Sequence, residues 1–450
     1  MLCIVELTRI LCGAMTAVQL RQFADIISAF FCVSHATTTK SIGRYTDCSE
    51  RSVFRFLSGK YNWAEIRCRL FAACSWDIFA EHFLAIDETV EGKSRSNTFG
   101  IARFYSSIAQ KPISGVCFFG ATLVNSQTET AYFLGAEQVV YNEADKIRAS
   151  AAKAKKAAKK TAVQSAEPKA KGRKLGTKNK PKEENQTASF RVYKVLITNV
   201  LNALRKWCIG LNLHYLLADS AYGTKDYADF AQGMGLHLLS KFKSNVALYL
   251  PFAGEQKGKR PSIYGAKLDL QNLPIAFLRE EITDNTHKYQ YFQFAALAKN
   301  TFQSQLLNIV VIRIVNLENK KVSTHIWFCT DLALGYLKLL HYYHLRFQIE
   351  FDFRDAKQYF GLSDFKNYKQ QNMTNFVNLS FTMCLVAKIY QAHFRKTLNI
   401  PKLSTFDLKT IFKARFNAKS ILKLVQKNPD LIFNTQFCAS FIPNDLINAA

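Results

Sequence analysis

Tyr343-His-Leu-Arg346-Phe-Gln-Ile-Glu350-Phe-Asp-Phe-Arg-Asp-Ala-Lys357 sets Tyr343, Arg346, Glu350 and Lys357 at i, i+3, i+7 and i+14. At 3.6 residues per turn these four fall on nearly one stripe of a helix, about 21 Å long. Leu345, Phe347, Ile349 and Phe353 pack elsewhere around the same helix, which is expected to run over 336–359. A mixed polar stripe is ordinarily a solvated helix face. Two nearby acids have other directions: helical phase turns Asp352 about 200° and Asp355 about 140° away from Glu350.

Upstream, two more acids follow apolar runs, in Leu84-Ala-Ile-Asp87-Glu-Thr and Leu216-Leu-Ala-Asp219-Ser-Ala-Tyr-Gly. A carboxylate at the end of a buried strand sits where loops open and a ligand approaches. Taken singly, each reads equally well as a turn or cap residue, and Glu88 is a rival beside Asp87. Around them the pattern predicts strands over 116–124 and 131–140, a helix over 193–207, and strands at 215–218 and 236–243. Residues 245–332 read as β-rich, with alternating segments at 289–295, 307–315 and 323–328. The last hundred residues read as helical, including 372–396. Strands mixed with covering helices predict an α/β chain.

The spacing Tyr-x2-Arg-x3-Glu-x6-Lys, reproduced without deviation, resembles the signature of one subgroup of the DDE transposases of bacterial insertion sequences. Cys329-Thr-Asp331 before the helix, and Phe353-Arg-Asp-Ala-Lys-Gln358 with Gly361-Leu362 after it, extend the likeness over roughly 82–395. The resemblance implies a ribonuclease H-like mixed-sheet core with a β-rich insertion and helical N- and C-terminal regions. The expected division is a helical DNA-binding region over 1–80 and the first part of the core over 81–244. The insertion would span 245–332, the catalytic helix and end of the core 333–397, and a helical region 398–450. Asp87 would lie on the first core strand, Asp219 on the fourth and Glu350 on a helix beyond the insertion. The separation of 131 positions from Asp219 to Glu350 is long for such a core, and the insertion accounts for it.

The implied activity is cut-and-paste DNA transposition: cleavage at the ends of an insertion sequence, then strand transfer into target DNA. Asp87, Asp219 and Glu350 would be the catalytic and metal-holding residues. Two Mg²⁺ ions, with Mn²⁺ as a substitute, suit hard oxygen ligands and stabilise both the attacking and leaving oxygens of a phosphodiester. Tyr343, Arg346 and Lys357 would contact the transposon end. The expected partners are the terminal inverted repeats and target duplex, met by a homodimer in a synaptic complex. The alternative is a catalytically inactive, transposase-derived DNA-binding repressor, which a nicking test separates. A general ribonuclease H-type nuclease, cutting without regard to ends, and a basic membrane-surface protein are more distant rivals.

Charge agrees with a polyanionic partner. The 450 residues carry 60 Lys+Arg against 34 Asp+Glu, a net +26. About half of that excess lies in 146–182, with fourteen Lys/Arg and the single acid Glu167. A basic, disordered insertion is expected over 146–186, whose first part could turn helical against phosphates. Its Lys171-Gly-Arg-Lys-Leu-Gly stretch resembles a minor-groove AT-hook, with Lys174 where the hook has proline. Arg173, Lys174, Lys178 and Lys180 are its candidate DNA contacts. Near the N-terminus, 38–59 reads as helix, turn, helix, with Ser49 as N-cap and Arg51 and Arg55 exposed. This resembles a helix-turn-helix reader, or equally a helical hairpin with a polar edge. Trp327 reads as sheet core, with stacking on a flipped base as its other role.

Several classes find no support. The eleven scattered cysteines include no Cys-x-x-Cys pair, and they read as reduced core residues rather than a zinc site. His-Glu-x-x-His and Gly-x-x-x-x-Gly-Lys are absent. The apolar run over 376–387 stops at Lys388, short of the roughly 20 residues needed to cross a bilayer. A cytoplasmic, nucleoid-associated bacterial protein is the expectation.

Overall fold

The computed structural model describes residues 4–46, 49–74, 76–106, 109–161, 186–256, 261–398 and 402–425. Arg173, Lys174, Lys178 and Lys180 lie outside the described residues. The chain opens with five helices, α1 (Ile4–Ile10), α2 (Ala17–Cys32), α3 (Thr39–Arg44), α4 (Glu50–Leu57) and α5 (Trp63–Ala72). Local chemistry sets their starts. Thr16 with Gln19, and Thr38 with Ser41, form reciprocal caps that satisfy orphan backbone N–H groups, and Ser49 accepts from Ser52 N. The expected helix–turn–helix spacing is therefore present, with Ser49 as the cap.

The core follows as β1 (His82–Gly92), β2 (Ala102–Ser106), β3 (Lys111–Asn125), β4 (Ala131–Val139), α6 (Glu143–Thr161), α7 (Ala188–Trp207), β5 (Leu213–Ala218), α8 (Lys225–Gly233) and β6 (His237–Phe242). Five of these strands lie in the order β4-β3-β1-β5-β6, the first three antiparallel and the last three parallel. That is the ribonuclease H-like arrangement. β3 is buried without interruption from Gly115 to Asn125, because helices cover both its faces. One face of the sheet, with Leu84, Ile86, Leu216 and Ala218, packs on α5, α7 and α8.

Beyond β6 come β7 (Leu248–Pro251), β8 (Tyr264–Lys267), β9 (Leu278–Thr283), β10 (His287–Ala298), β11 (Leu306–Asn316) and β12 (Val322–Cys329). They continue the core sheet rather than forming a separate layer. β12 pairs antiparallel with β6, placing Trp327 opposite Lys241, and β11, β10, β7 and β8 follow outward. The edge that β6 would otherwise expose is covered. Three helices then return across the other sheet face, α9 (Tyr336–Leu345), α10 (Gln348–Tyr359) and α11 (Gln370–Leu398), and α12 (Thr405–Val425) packs on α2 and α11. No helix among the described residues is long and apolar enough to cross a membrane. The eight described cysteines are all free, and six of them are buried.

One expectation changes here. Residues 146–161, expected to be disordered, are helical in α6. Ala and Lys are good helix formers, and Asp145 anchors the first turn by pairing with Arg148 at 2.6 Å and with Arg191 of α7 at 2.5 Å.

Buried polar contacts tie the terminal helices to the core. Arg67 of α5, 1% exposed, donates to Leu134 O of β4 and to Asn378 O, Asn378 Oδ1 and Thr382 Oγ1 of α11. Asp352 of α10, also 1% exposed, accepts from Lys388 Nζ of α11 at 2.5 Å and from Thr122 Oγ1 of β3 at 3.0 Å. Lys409 of α12 donates to Phe30 O at 2.7 Å and Tyr359 O at 3.0 Å. Those carbonyls belong to the last turns of α2 and α10, where unsatisfied acceptors and the helix dipole favour a cation.

Two outcomes follow from these anchors. Asp352→Ala strands Lys388 without its counter-charge and should lower stability by about 3 kcal/mol, read from urea unfolding. Burial pushes the Lys409 ammonium down from 10.5 to about 8. The folded protein then releases this proton near pH 8, while the unfolded chain keeps it to about 10.5. Stability from this site should rise as pH climbs through that window, and Lys409→Met should remove the rise. Urea midpoints of both proteins at pH 7.5 to 10 check it.

Candidate active site

β1 and β5 run parallel up to Ile86 opposite Ala218, and Asp87 and Asp219 are the residues that follow this last pair. Side chains alternate across a sheet. Phe83, Ala85, Tyr215 and Leu217 join the core on the face covered by α9–α11, and Asp87 and Asp219 continue those two rows. The sequence reading put both acids at strand ends. Asp219 does follow the last residue of β5, but Asp87 stands in mid-strand, because β1 runs on to Gly92 paired with β3. The opening exists because β5 stops while β1 continues.

The catalytic-helix candidate differs from a single straight helix. α9 ends at Leu345 and α10 begins at Gln348. Across the joint, Arg346 N bonds Tyr343 O, Ile349 N bonds Arg346 O and Glu350 N bonds Phe347 O, all three residues apart. This tighter winding breaks the expected continuous stripe. Arg346 sits at the joint, 5% exposed, with Nη1 3.0 Å from Asp87 Oδ2 and Nη2 3.3 Å from Glu350 Oε1. One guanidinium thus links an acid of the sheet to an acid of the helix.

Close approach of α10 to the sheet depends on Gly120, which lies opposite Asp87 on β3. A Cβ there would stand 2.9 Å from Phe353 Cε1, so a larger residue would push α10 outward. Lower on the same face of β1, Glu91 is buried and lies 2.9 Å from Lys357 Nζ. Sequence reasoning missed Glu91, although the alternation 87, 89, 91 along β1 carries it. Asp87, Asp219, Arg346, Glu350 and Lys357 line one cleft of about 870 Å³, with Tyr105 at its wall.

Burial raises the Asp87 carboxyl to about 6, against the lowering influence of Arg346, and Asp219 and Glu350 add repulsion. The cleft thus holds a carboxyl whose charged form burial disfavours. Its donors are all carboxylate oxygens, which fits a hard divalent cation. Among the described residues, no three His, Cys, Asp or Glu side chains stand close enough to share a metal ion.

Of the rival acids, Glu88 lines the same cleft and Asp352 does not. Glu88 accepts from Cys117 Sγ at 3.5 Å, with burial raising its carboxyl, and Asp352 belongs to the α10–α11 anchor. Tyr343 is 8% exposed and stays behind the cleft, its ring edge-on to Trp327 at 6.1 Å, with burial pushing its hydroxyl up to about 12. Trp327 is half-buried in β12 under Lys241, and its buried Nε1 has no hydrogen-bond partner among the described residues. Arg51 and Arg55 are exposed on α4, away from this cleft.

Comparison with known proteins agrees with this architecture. Residues 10–281 match the DDE superfamily endonuclease family, and residues 193–386 match the transposase DDE domain. No curated protein matches the chain. The first match spans more than half of the sequence and includes Asp87 and Asp219, while the second includes Asp219 and Glu350. Taken with the strand order and the two acids on adjacent strands, these matches place the chain in the DDE superfamily of endonucleases and transposases.

Proposed function

We propose that the protein is an insertion-sequence transposase that cleaves DNA at the element's ends and joins them to target DNA. The observation that carries this reading is the shared cleft, in which two strand acids and one helix acid meet two fixed cations. Enzymes of this superfamily generally use divalent metals. Asp87, Asp219 and Glu350 are the residues that would hold them here, as Mg²⁺ or Mn²⁺. Two such ions supply an activated water and neutralise charge on a reacting phosphate.

The protein's own residues complete the chemistry. Arg346 orients Asp87 and Glu350 together and offers its remaining donors to the cleft. Lys357, restrained by Glu91, presents an ammonium to a phosphate oxygen. Tyr343 supports Arg346 from behind, with the guanidinium 5.7 Å from its ring. Arg51 and Arg55 on α4, with Arg173, Lys174, Lys178 and Lys180, would grip duplex outside the cleft. Two copies acting on two ends would form the synaptic complex, and a net charge of +26 would keep the protein on bacterial DNA.

The test is cleavage of a labelled duplex carrying the element's own end, with Mg²⁺ or Mn²⁺. Asp87→Asn, Asp219→Asn and Glu350→Gln should each reduce cutting on the order of 10³-fold or more, with end binding nearly unchanged. Full activity in any variant removes that residue from the site. Wild-type protein that binds ends but cuts with neither metal is instead a DNA-binding repressor.

A further inference from the structure

A second cleft, of about 920 Å³, lies between the α3–α4 pair and the turn that follows α10. Lys40 and Arg51 line one wall, and Lys366 and Lys369 line the other. All four are exposed, and none forms an ion pair among the described residues. Among the described residues, Glu50 is the one acid in the lining. Phe54 stands in the same cleft 49% exposed, while its neighbours Val53, Phe56 and Leu57 are buried. An aromatic left in water among unpaired cations has no part in the core that α4 builds.

The two walls are joined rigidly, although more than 300 residues separate them. Asp364 of the turn accepts from Thr37 N at 2.8 Å. At the start of α11, Asn372 Nδ2 donates to Ser58 Oγ at 2.9 Å, and Asn375 Nδ2 donates to Leu57 O and Gly59 O at 2.7 Å. Trp63 Nε1 donates to Asn375 Oδ1 at 2.8 Å. Gly361, with φ +68°, opens the turn directly after α10, and a Cβ there would collide with Thr37. Whatever binds the cleft is thereby held at a set offset from Glu350.

We propose that this cleft is a second DNA-contacting surface, in which Lys366 and Lys369 act with Lys40 and Arg51 to grip the backbone of the duplex flanking the cleaved bond. The inference rests on the reading of DNA as substrate. Unpaired Lys and Arg on two facing walls match the phosphates that dominate protein–DNA contacts. Phe54 adds an apolar surface that a base edge or thymine methyl can meet. Because the surface shares its frame with α10, backbone contact there fixes where the strand enters the catalytic cleft. Reading and cutting are parts of one body, not domains on a tether.

The experiment measures metal-free binding of the same end duplex by fluorescence anisotropy across a range of salt concentrations. Lys366→Glu/Lys369→Glu is compared with Lys320→Glu/Lys321→Glu, an equal charge change on exposed residues of the β11–β12 hairpin. The cleft pair should weaken binding by about tenfold or more and flatten the slope of log affinity against log salt by about 2, one unit per lost phosphate contact. Lys366→Gln/Lys369→Gln should flatten it similarly, and the hairpin pair should leave it nearly unchanged. Equal losses in the cleft and hairpin pairs would mean a net-charge effect only and overturn the proposal. Wild-type affinity in the cleft pair would also overturn it and leave the face to an acidic protein partner. Failure of the wild type itself to bind duplex would instead sink the parent reading.

Discussion

Parallel pairing of β1 with β5 in a constant register from Phe83 to Ile86, Ile86 against Ala218, is the constraint on which the site depends. Alternation puts the next residue of each strand on the same face, and that face meets α9–α11. A slip of one residue would turn Asp219 toward α7 and α8 and leave Asp87 without its neighbour. Burial enforces the register, since Leu84, Ile86, Leu216 and Ala218 must pack on one side while Phe83, Ala85, Tyr215 and Leu217 pack on the other. The acids are brought together as a by-product of hydrophobic packing on both faces of the sheet.

Electrostatics around α10 separates the acids into two kinds. Asp352 and Glu91 are deeply buried, and each has a lysine of its own, Lys388 or Lys357. A buried charge without such a partner costs several kcal/mol, so these pairs set the position and rotation of α10. Asp87, Asp219 and Glu350 share the single guanidinium of Arg346, which contacts only the first and last. Burial raises Asp87 to about 6 against the lowering influence of Arg346. A buried carboxyl with Asp219 and Glu350 lining the same cleft is what distinguishes this site from the structural pairs beside it, and it gives a cation a reason to bind there.

Elements far apart in sequence serve this small region. The insertion reaches it through β12, which closes the edge of β6 and sets Trp327 behind Tyr343. The N-terminal helices reach it through Lys409, which joins the ends of α2 and α10, and through the bonds from Thr37, Ser58 and Trp63 to the turn after α10 and to α11. The C-terminal end of the helix that carries Glu350 is thus tied to parts of the chain that precede the core.

Much of this was legible in the amino-acid sequence, because local chemistry controlled it. Ser49 marked the start of α4, apolar alternation gave the core strands, and the Tyr343, Arg346, Glu350 and Lys357 spacing singled out the catalytic-helix candidate. Period and capping depend on neighbours within a few residues, and so they survive without the fold. What the sequence left open depended on contacts across hundreds of residues. The break between α9 and α10 arises where Arg346 must reach Asp87, 259 positions earlier. Glu91 as the partner of Lys357, Gly120 as the space for Phe353, and the continuation of β1 past Asp87 all come from cross-strand and helix–sheet proximity. The types of the candidate site groups were determined by the sequence alone, but their meeting in one cleft was decided by the sheet register and by a helix packed against it.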